Sequence, residues 1–193
     1  MAAIDRSAIT GLILAGGRGA RLGGEDKGLA LFQRRRLVEH AIERLFPQVA
    51  TLIVSANRNR ERYEALGWPV VADDDATFAG PLAGMLAGLR AARTDWLATV
   101  PCDAPHFPSD LVAQLVAGIG SAHAAVASVD GKAQPVFCLL HRSAADSLAA
   151  TLRANQRAAV HWLTTIGAQT VPFANARAFA NLNTAQDFAA ALP

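Results

Sequence analysis

The sequence predicts an α/β protein with a mostly parallel sheet, on three observations. Short apolar runs alternate with helical stretches, which is the pattern of βαβ units. The runs are apolar throughout rather than alternating, as strands covered on both faces must be. Two later β-type runs flank Asp130-Gly131, a hairpin dipeptide, so the second half of the sheet carries an antiparallel element.

Ile9–Leu14 is the first strand. Leu37–Leu45 is a helix with Leu37, His40, Ala41, Arg44 and Leu45 on one side, and Pro47 ends it. Thr51–Ser55 is the second strand, Arg58–Leu66 a helix closed by Gly67, and Val70–Ala72 a short third strand. Gly80-Pro81 opens a helix to about Ala92, with proline in its first turn. Trp96–Val100 is the fourth strand, and Ser109 can cap a helix reaching Gly118. Ala124–Val129 and Gln134–Leu140 form the antiparallel pair. Alanine-rich helices over Ser143–Ala154 and Ala158–Ile166 precede a strand at Gln169–Pro172. The last helix is Thr184–Leu192, where Thr184 and Asp187 have capping-box spacing with Asp in place of Glu.

At 193 residues the chain suits one domain, and 52% hydrophobic residues exclude a disordered protein. A net charge of +2 is too mild for a nucleic-acid coat or a polybasic membrane anchor, so neither partner is expected. No apolar run is long enough to span a bilayer and the N-terminus lacks a signal-peptide core, so the expected location is the cytoplasm. Cys102 and Cys138 have no metal spacing and read as small buried hydrophobes.

In open parallel sheets the ligand lies beyond the carboxyl ends of the strands. Three segments there are unusual: Ala15–Gly28, Asp73–Gly84 and Pro101–Pro108. In the first, Gly16, Gly17, Gly19, Gly23, Gly24 and Gly28 are interleaved with Arg18, Arg21 and Lys27. Backbone N–H groups in such a loop form an anion-binding nest. It is not a GxxxxGK[ST] loop, because Gly28 follows Lys27, nor a full GxGxxG fingerprint, because Leu22 stands at the third glycine, although Glu39 lies at the distance of a ribose acid. In the second segment Asp73, Asp74 and Asp75 follow a strand, and Gly80, Pro81, Ala83 and Gly84 let a flat ring or sugar approach the backbone. In the third, Asp103 sits in a proline-bracketed loop. It either caps a turn or holds a magnesium ion, which takes one or two carboxylates plus phosphate oxygens. His106 is a lone loop histidine and reads as incidental.

LAGGRGARLGGEDKGL, GPLAGM, PCDAP and NLNTAQDF, in this order, resemble the molybdenum cofactor guanylyltransferase family, the MobA proteins, over nearly the whole chain. The resemblance implies a three-layer, Rossmann-like, GT-A-related nucleotidyltransferase fold in a single domain, 1–193. Its N-terminal half would bind nucleotide and its C-terminal half the acceptor. It implies GTP as substrate, bound at Leu14, Ala15, Gly16, Gly17, Lys27, Asp73 and Asp103, with Mg2+ on Asp103. Gly80 and Pro81 join the nucleotide site, and Ser55 stands where the family often has Asn. Arg34-Arg35-Arg36 replaces a Gly-x-Pro turn, and TAQD replaces TPED.

The implied reaction joins GMP from GTP to the terminal phosphate of molybdopterin and releases pyrophosphate. Arg21, Lys27 and Asp103 are the expected catalytic residues. Asn181 and Asn183 are acceptor candidates, with Gln134, Arg157 and His106 weaker ones. Molybdenum cofactor assembly proteins and molybdoenzymes are expected transient partners. The alternatives are a relative using CTP or a sugar-phosphate acceptor, disfavoured by Gly16 and Cys102, and a non-catalytic nucleotide-binding module.

Overall fold

A computed structural model describes residues 4–15, 26–73 and 80–190. Gly16, Gly17, Arg18, Gly19, Arg21, Gly23, Gly24, Asp74, Asp75 and Leu192 lie outside the described residues.

The centre of the sheet is β1 (Ile9–Leu14), which pairs in parallel with β4 (Thr51–Ser55) on one side and β6 (Trp96–Pro101) on the other. β4 carries β5 (Val70–Val71), again in parallel. Beyond β6 the direction reverses. β8 (Lys132–His141) runs antiparallel to β6 and to β7 (Ala124–Val129), and β9 (Gln169–Pro172) pairs in parallel with β7. The order is β5-β4-β1-β6-β8-β7-β9, a mixed sheet whose one reversed strand comes from a hairpin. Asp130 and Gly131 both adopt positive φ, 49° and 74°, as the tight turn joining twisted strands demands.

Alternation along β1 divides the core in two. Ile9 and Ile13 face one side with Val54, Val100 and Leu139, covered by α1 (Leu37–Leu45), α2 (Arg60–Glu64) and α4 (Leu111–Gly118). Leu12 faces the other with Ile53, Leu97 and Leu140, covered by α3 (Pro81–Ala91), α5 (Ala144–Arg153) and α6 (Ala159–Thr165). The result is three layers, helices–sheet–helices. α3 sits close because it presents glycines: a Cβ on Gly88 would lie 2.6 Å from Leu12. Elsewhere in the core, emptying a filled position costs about 2–5 kcal/mol, as for the fully buried Leu45→Ala at the end of α1. Cys102 and Cys138 are both buried, free thiols, and burial pushes Cys138 up to about 12.

The boundaries of β1, α1, β4, β7 and β9 agree with the sequence reading. β5, β6, α3, α5 and α6 shift by a residue at one or both ends, and four differences are larger. The helix expected over Arg58–Leu66 spans only Arg60–Glu64, because Asn59 takes a left-handed conformation before it. Ser109 does not cap α4. Asp110 holds the cap position without a side-chain bond, and Gln48, from a turn after α1, accepts the Val112 N–H at 2.9 Å. β8 is longer than Gln134–Leu140. A small hairpin, β2 (Leu31–Phe32) and β3 (Arg35–Arg36), turns through Gln33 and Arg34, both left-handed at φ 50° and 66°. The final helix α7 (Ala185–Ala190) opens on the expected reciprocal cap: Thr184 N–H donates to Asp187 Oδ2 at 2.7 Å, and Asp187 N–H to Thr184 Oγ1 at 3.2 Å.

Candidate active site

The ladder of β1 continues past its last residue on both flanks. Ala15 N–H donates to the Ser55 carbonyl at 2.8 Å, and Cys102 N–H donates to the Leu14 carbonyl at 3.1 Å. The chain therefore leaves β1, β4 and β6 side by side on one edge. Leu14 is half-buried and Ala15 buried there.

Lys27 returns to this edge in a single 3-10 turn, Lys27–Leu29, capped by Asp26. Its ammonium forms an ion pair with the Asp103 carboxylate and donates to Asn183 Oδ1 at 2.5 Å. The Lys27 and Asp103 side chains are only 14% and 16% exposed, so each charge relies on the other. Asp103 lies two residues past the end of β6, and its carbonyl accepts the Leu182 N–H at 2.7 Å, which docks the last loop. Asp187 then accepts the Asn183 N–H at 2.8 Å. The N–H groups of Asn183 and Thr184 hold the Asp187 carboxyl below its ordinary value. Three residues from distant parts of the chain thus meet: Lys27 from the loop after β1, Asp103 from the end of β6, and Asn183 from the approach to α7.

A second pair lies at the ends of β4 and β5. Asn57 Nδ2 donates to Asp73 Oδ2 at 2.9 Å, and Asp73 N–H donates to Asn57 Oδ1 at 2.9 Å. The sequence reading singled out Asp73 but passed over Asn57. Ser55, which it selected, is 3% exposed with its hydroxyl packed beneath α3, where a Cβ on Gly84 would come within 2.7 Å. Gly80, exposed and at φ 73°, precedes Pro81 at the first turn of α3.

The remaining candidates are spread out. Asn181 is exposed, and its carbonyl accepts Asn183 Nδ2 at 3.5 Å. Gln134 is half-buried in β8 and bonds to the Lys132 carbonyl. Arg157 stands between α5 and α6, donating to Asn155 Oδ1. His106 meets Phe32 edge-on at 5.7 Å and lines a cleft of about 410 Å³ with Arg44, Gln114 and Asn175. Among the described residues, no group of three or more His, Cys, Asp or Glu side chains converges on a metal position. No helix among them is long and apolar enough to cross a membrane.

A sheet of this kind takes its ligand at the carboxyl ends of its strands, and the paired charges gather there, which places the chain among the ligand-binding three-layer α/β proteins. Comparison with known proteins narrows that class. Residues 11–169 match the family model described as MobA-like NTP transferase domain. The chain is 47% identical over 188 residues to the molybdenum cofactor guanylyltransferase of Cupriavidus metallidurans, covering 94% of this chain and 93% of that protein. It is 48% identical over 180 residues to the molybdenum cofactor guanylyltransferase of Serratia proteamaculans, covering 93% and 91%. Its fold superposes on the molybdopterin-guanine dinucleotide biosynthesis protein A of Archaeoglobus fulgidus with a TM-score of 0.73, at 21% identity, over 94% and 95% of the two chains. The chain belongs to the MobA-like NTP transferase family and is a nucleotidyltransferase.

Proposed function

We propose that the chain transfers GMP from GTP to the terminal phosphate of molybdopterin, forming the guanine dinucleotide of the cofactor. The observation that carries this reading is the junction of Lys27, Asp103 and Asn183, where the loop after β1 and the loop before α7 share one ammonium group. The near-full-length likeness to molybdenum cofactor guanylyltransferases supports the choice of substrates.

In this reading an oxygen of the acceptor phosphate attacks the α-phosphorus of GTP. A new P–O–P linkage forms, the bond to the β-phosphate oxygen breaks, and pyrophosphate departs. A phosphate monoester has a second pKa of about 6, so the nucleophile is already ionised at neutral pH and needs no general base. The difficulty is one anion attacking another, and positioning with charge neutralisation overcomes it. The backbone from Ala15 through Gly16, Gly17 and Gly19, with Leu14 behind it, takes the phosphates. Arg21 and Lys27 neutralise charge at the attacked and leaving groups. Asp73, braced by Asn57, faces the base or ribose, with Ser55, Gly80 and Pro81 around it. Asn181 and Asn183 take the acceptor. The halves of the single domain thus divide the substrates.

A carboxylate at a strand end suits Mg2+, which takes one or two carboxylates and completes its shell with phosphate oxygens and water. Asp103 would hold it, and the ion would supply charge stabilisation on the phosphates. Lys27 holds that carboxylate in place through their ion pair. The enzyme works in the cytoplasm, with GTP and molybdopterin as its main partners and transient contacts with cofactor-assembly proteins and molybdoenzymes.

Product analysis tests the reading. Molybdopterin with GTP should yield the guanine dinucleotide and pyrophosphate, as seen by mass spectrometry. A product formed with CTP and not with GTP would overturn the choice of nucleotide.

A further inference from the structure

Lys27 is useful only if its short turn is held rigidly, and the residue before it is tied in an unusual way. Asp26 needs only one bond to cap the turn, and it makes that bond weakly: Gly28 N–H donates to Oδ1 at 3.2 Å. Its two shorter bonds come from α2 and the approach to it. The Tyr63 hydroxyl donates to Asp26 Oδ1 at 2.6 Å, and Asn59 Nδ2 donates to Asp26 Oδ2 at 2.9 Å. Both donors show signs of being placed for this contact. Asn59 occupies the cap position of α2, where its side chain would ordinarily bond to its own helix. It makes no such bond and reaches Asp26 instead, from a left-handed backbone at φ 52°. Tyr63 is fully buried, and burial first and the bond to Asp26 second raise its phenol well above the ordinary range, so it stays a donor. Gly28 leaves room for it: a Cβ there would meet the Tyr63 oxygen at 2.4 Å.

We propose that Asp26 is the positioning residue of Lys27, and that Tyr63 and Asn59 hold Asp26 to that task. α2 then acts as a brace behind the loop. It fixes both carboxylate oxygens of Asp26, and through the adjoining peptide it fixes the start of the lysine side chain that reaches Asp103 and Asn183. The inference rests on the guanylyl-transfer reading for its kinetic consequence but not for its structural one.

The test uses Tyr63→Phe, which deletes only the hydroxyl, and Asn59→Gly, which deletes the amide while keeping the left-handed backbone. Lys132, exposed in the β7–β8 hairpin, is the only other lysine of the chain and serves as an internal reference. Limited acylation of the full chain, read by mass spectrometry, should show the Lys27:Lys132 modification ratio rising about tenfold in each variant, as expected for a loosened hydrogen-bonded charge. In guanylyl transfer each variant should lose about tenfold in kcat, with less change in the KM for the acceptor. In a Lys27→Ala background neither variant should cause a further loss, whereas a merely structural role would give additive losses. An unchanged labelling ratio, or additivity with Lys27→Ala, overturns the inference. If Tyr63→Phe unfolds the chain, Asn59→Gly at the surface decides alone. If the wild-type chain transfers no GMP, the proposed function fails, and the labelling ratio still decides the inference.

Discussion

The two edges of the sheet treat polar groups differently. At the edge opposite the candidate site, Asp95 and Arg142 lie 3.7 Å apart with side chains 63% and 66% exposed. There the His123 and His141 rings meet at a tilt, their centres 4.9 Å apart, and share the Ser143 hydroxyl. Asp95, Arg142 and His123 are exposed and His141 is half-buried, and a pair like Asp95–Arg142 contributes about 0–1 kcal/mol. At the site edge, Lys27 and Asp103 are taken largely out of water. Desolvated charges are costly unless paired, and hydrophobic replacements of similar volume often serve stability as well. Stability alone therefore does not explain a half-buried lysine and aspartate at that edge, whereas the phosphate chemistry proposed for them would.

The sharpest way to break this contrast is Asp103→Ala. Guanylyl transfer should fall by about a thousandfold or more, the scale of losing a preorganised electrostatic group, while circular dichroism shows an intact fold. Near-normal turnover would return the site edge to the same footing as the far edge. Lys27→Ala should come next, with kcat down about a hundredfold and the acceptor KM less affected. A loss confined to KM would mean that Lys27 only binds.

Asn57→Ala should have a smaller effect, since it removes one amide from Asp73 and leaves the lysine cluster alone. The KM for GTP should rise about tenfold, the weight of one hydrogen bond to a charged group, with kcat close to wild type. Steady-state titration with GTP measures it. A fall in kcat instead would place Asp73 among the reacting atoms.

Much of the fold could be read from the chain. β1, α1, β4, β7 and β9 are apolar or amphipathic runs bounded by glycine, proline or turn residues, and local pattern sets their ends. The β2–β3 hairpin could not be read, because Gln33 and Arg34 turn the chain left-handed without the usual Asn or Gly. Tertiary bonds also override local signals, as when Gln48 rather than Ser109 supplies the α4 cap. At the site, the resemblance put Lys27 and Asp103 together at the nucleotide and Asn183 apart from them at the acceptor, with no direct bond among the three. Their meeting was not legible, because Lys27 lies 76 residues from one partner and 156 from the other. Asn57, Asp26, Asn59 and Tyr63 were missed for the same reason: each matters only through a partner that folding brings to it.

The smallest effect belongs to the far edge and concerns pH. Burial first, and the neighbouring His123 second, lower the His141 pKa below its ordinary value. Below about pH 6.5 the unfolded chain therefore takes up a proton at His141 more readily than the folded one. Its contribution is fully present above that pH and is lost as pH falls through the lower folded value. His141→Gln should flatten the fall in melting temperature between about pH 6.5 and 5 while leaving turnover at pH 7.5 unchanged. Screening at this exposed edge keeps the effect to a degree or two. A variant that changed turnover instead would show the two edges to be coupled through β6 and β8, with the far edge contributing to the chemistry.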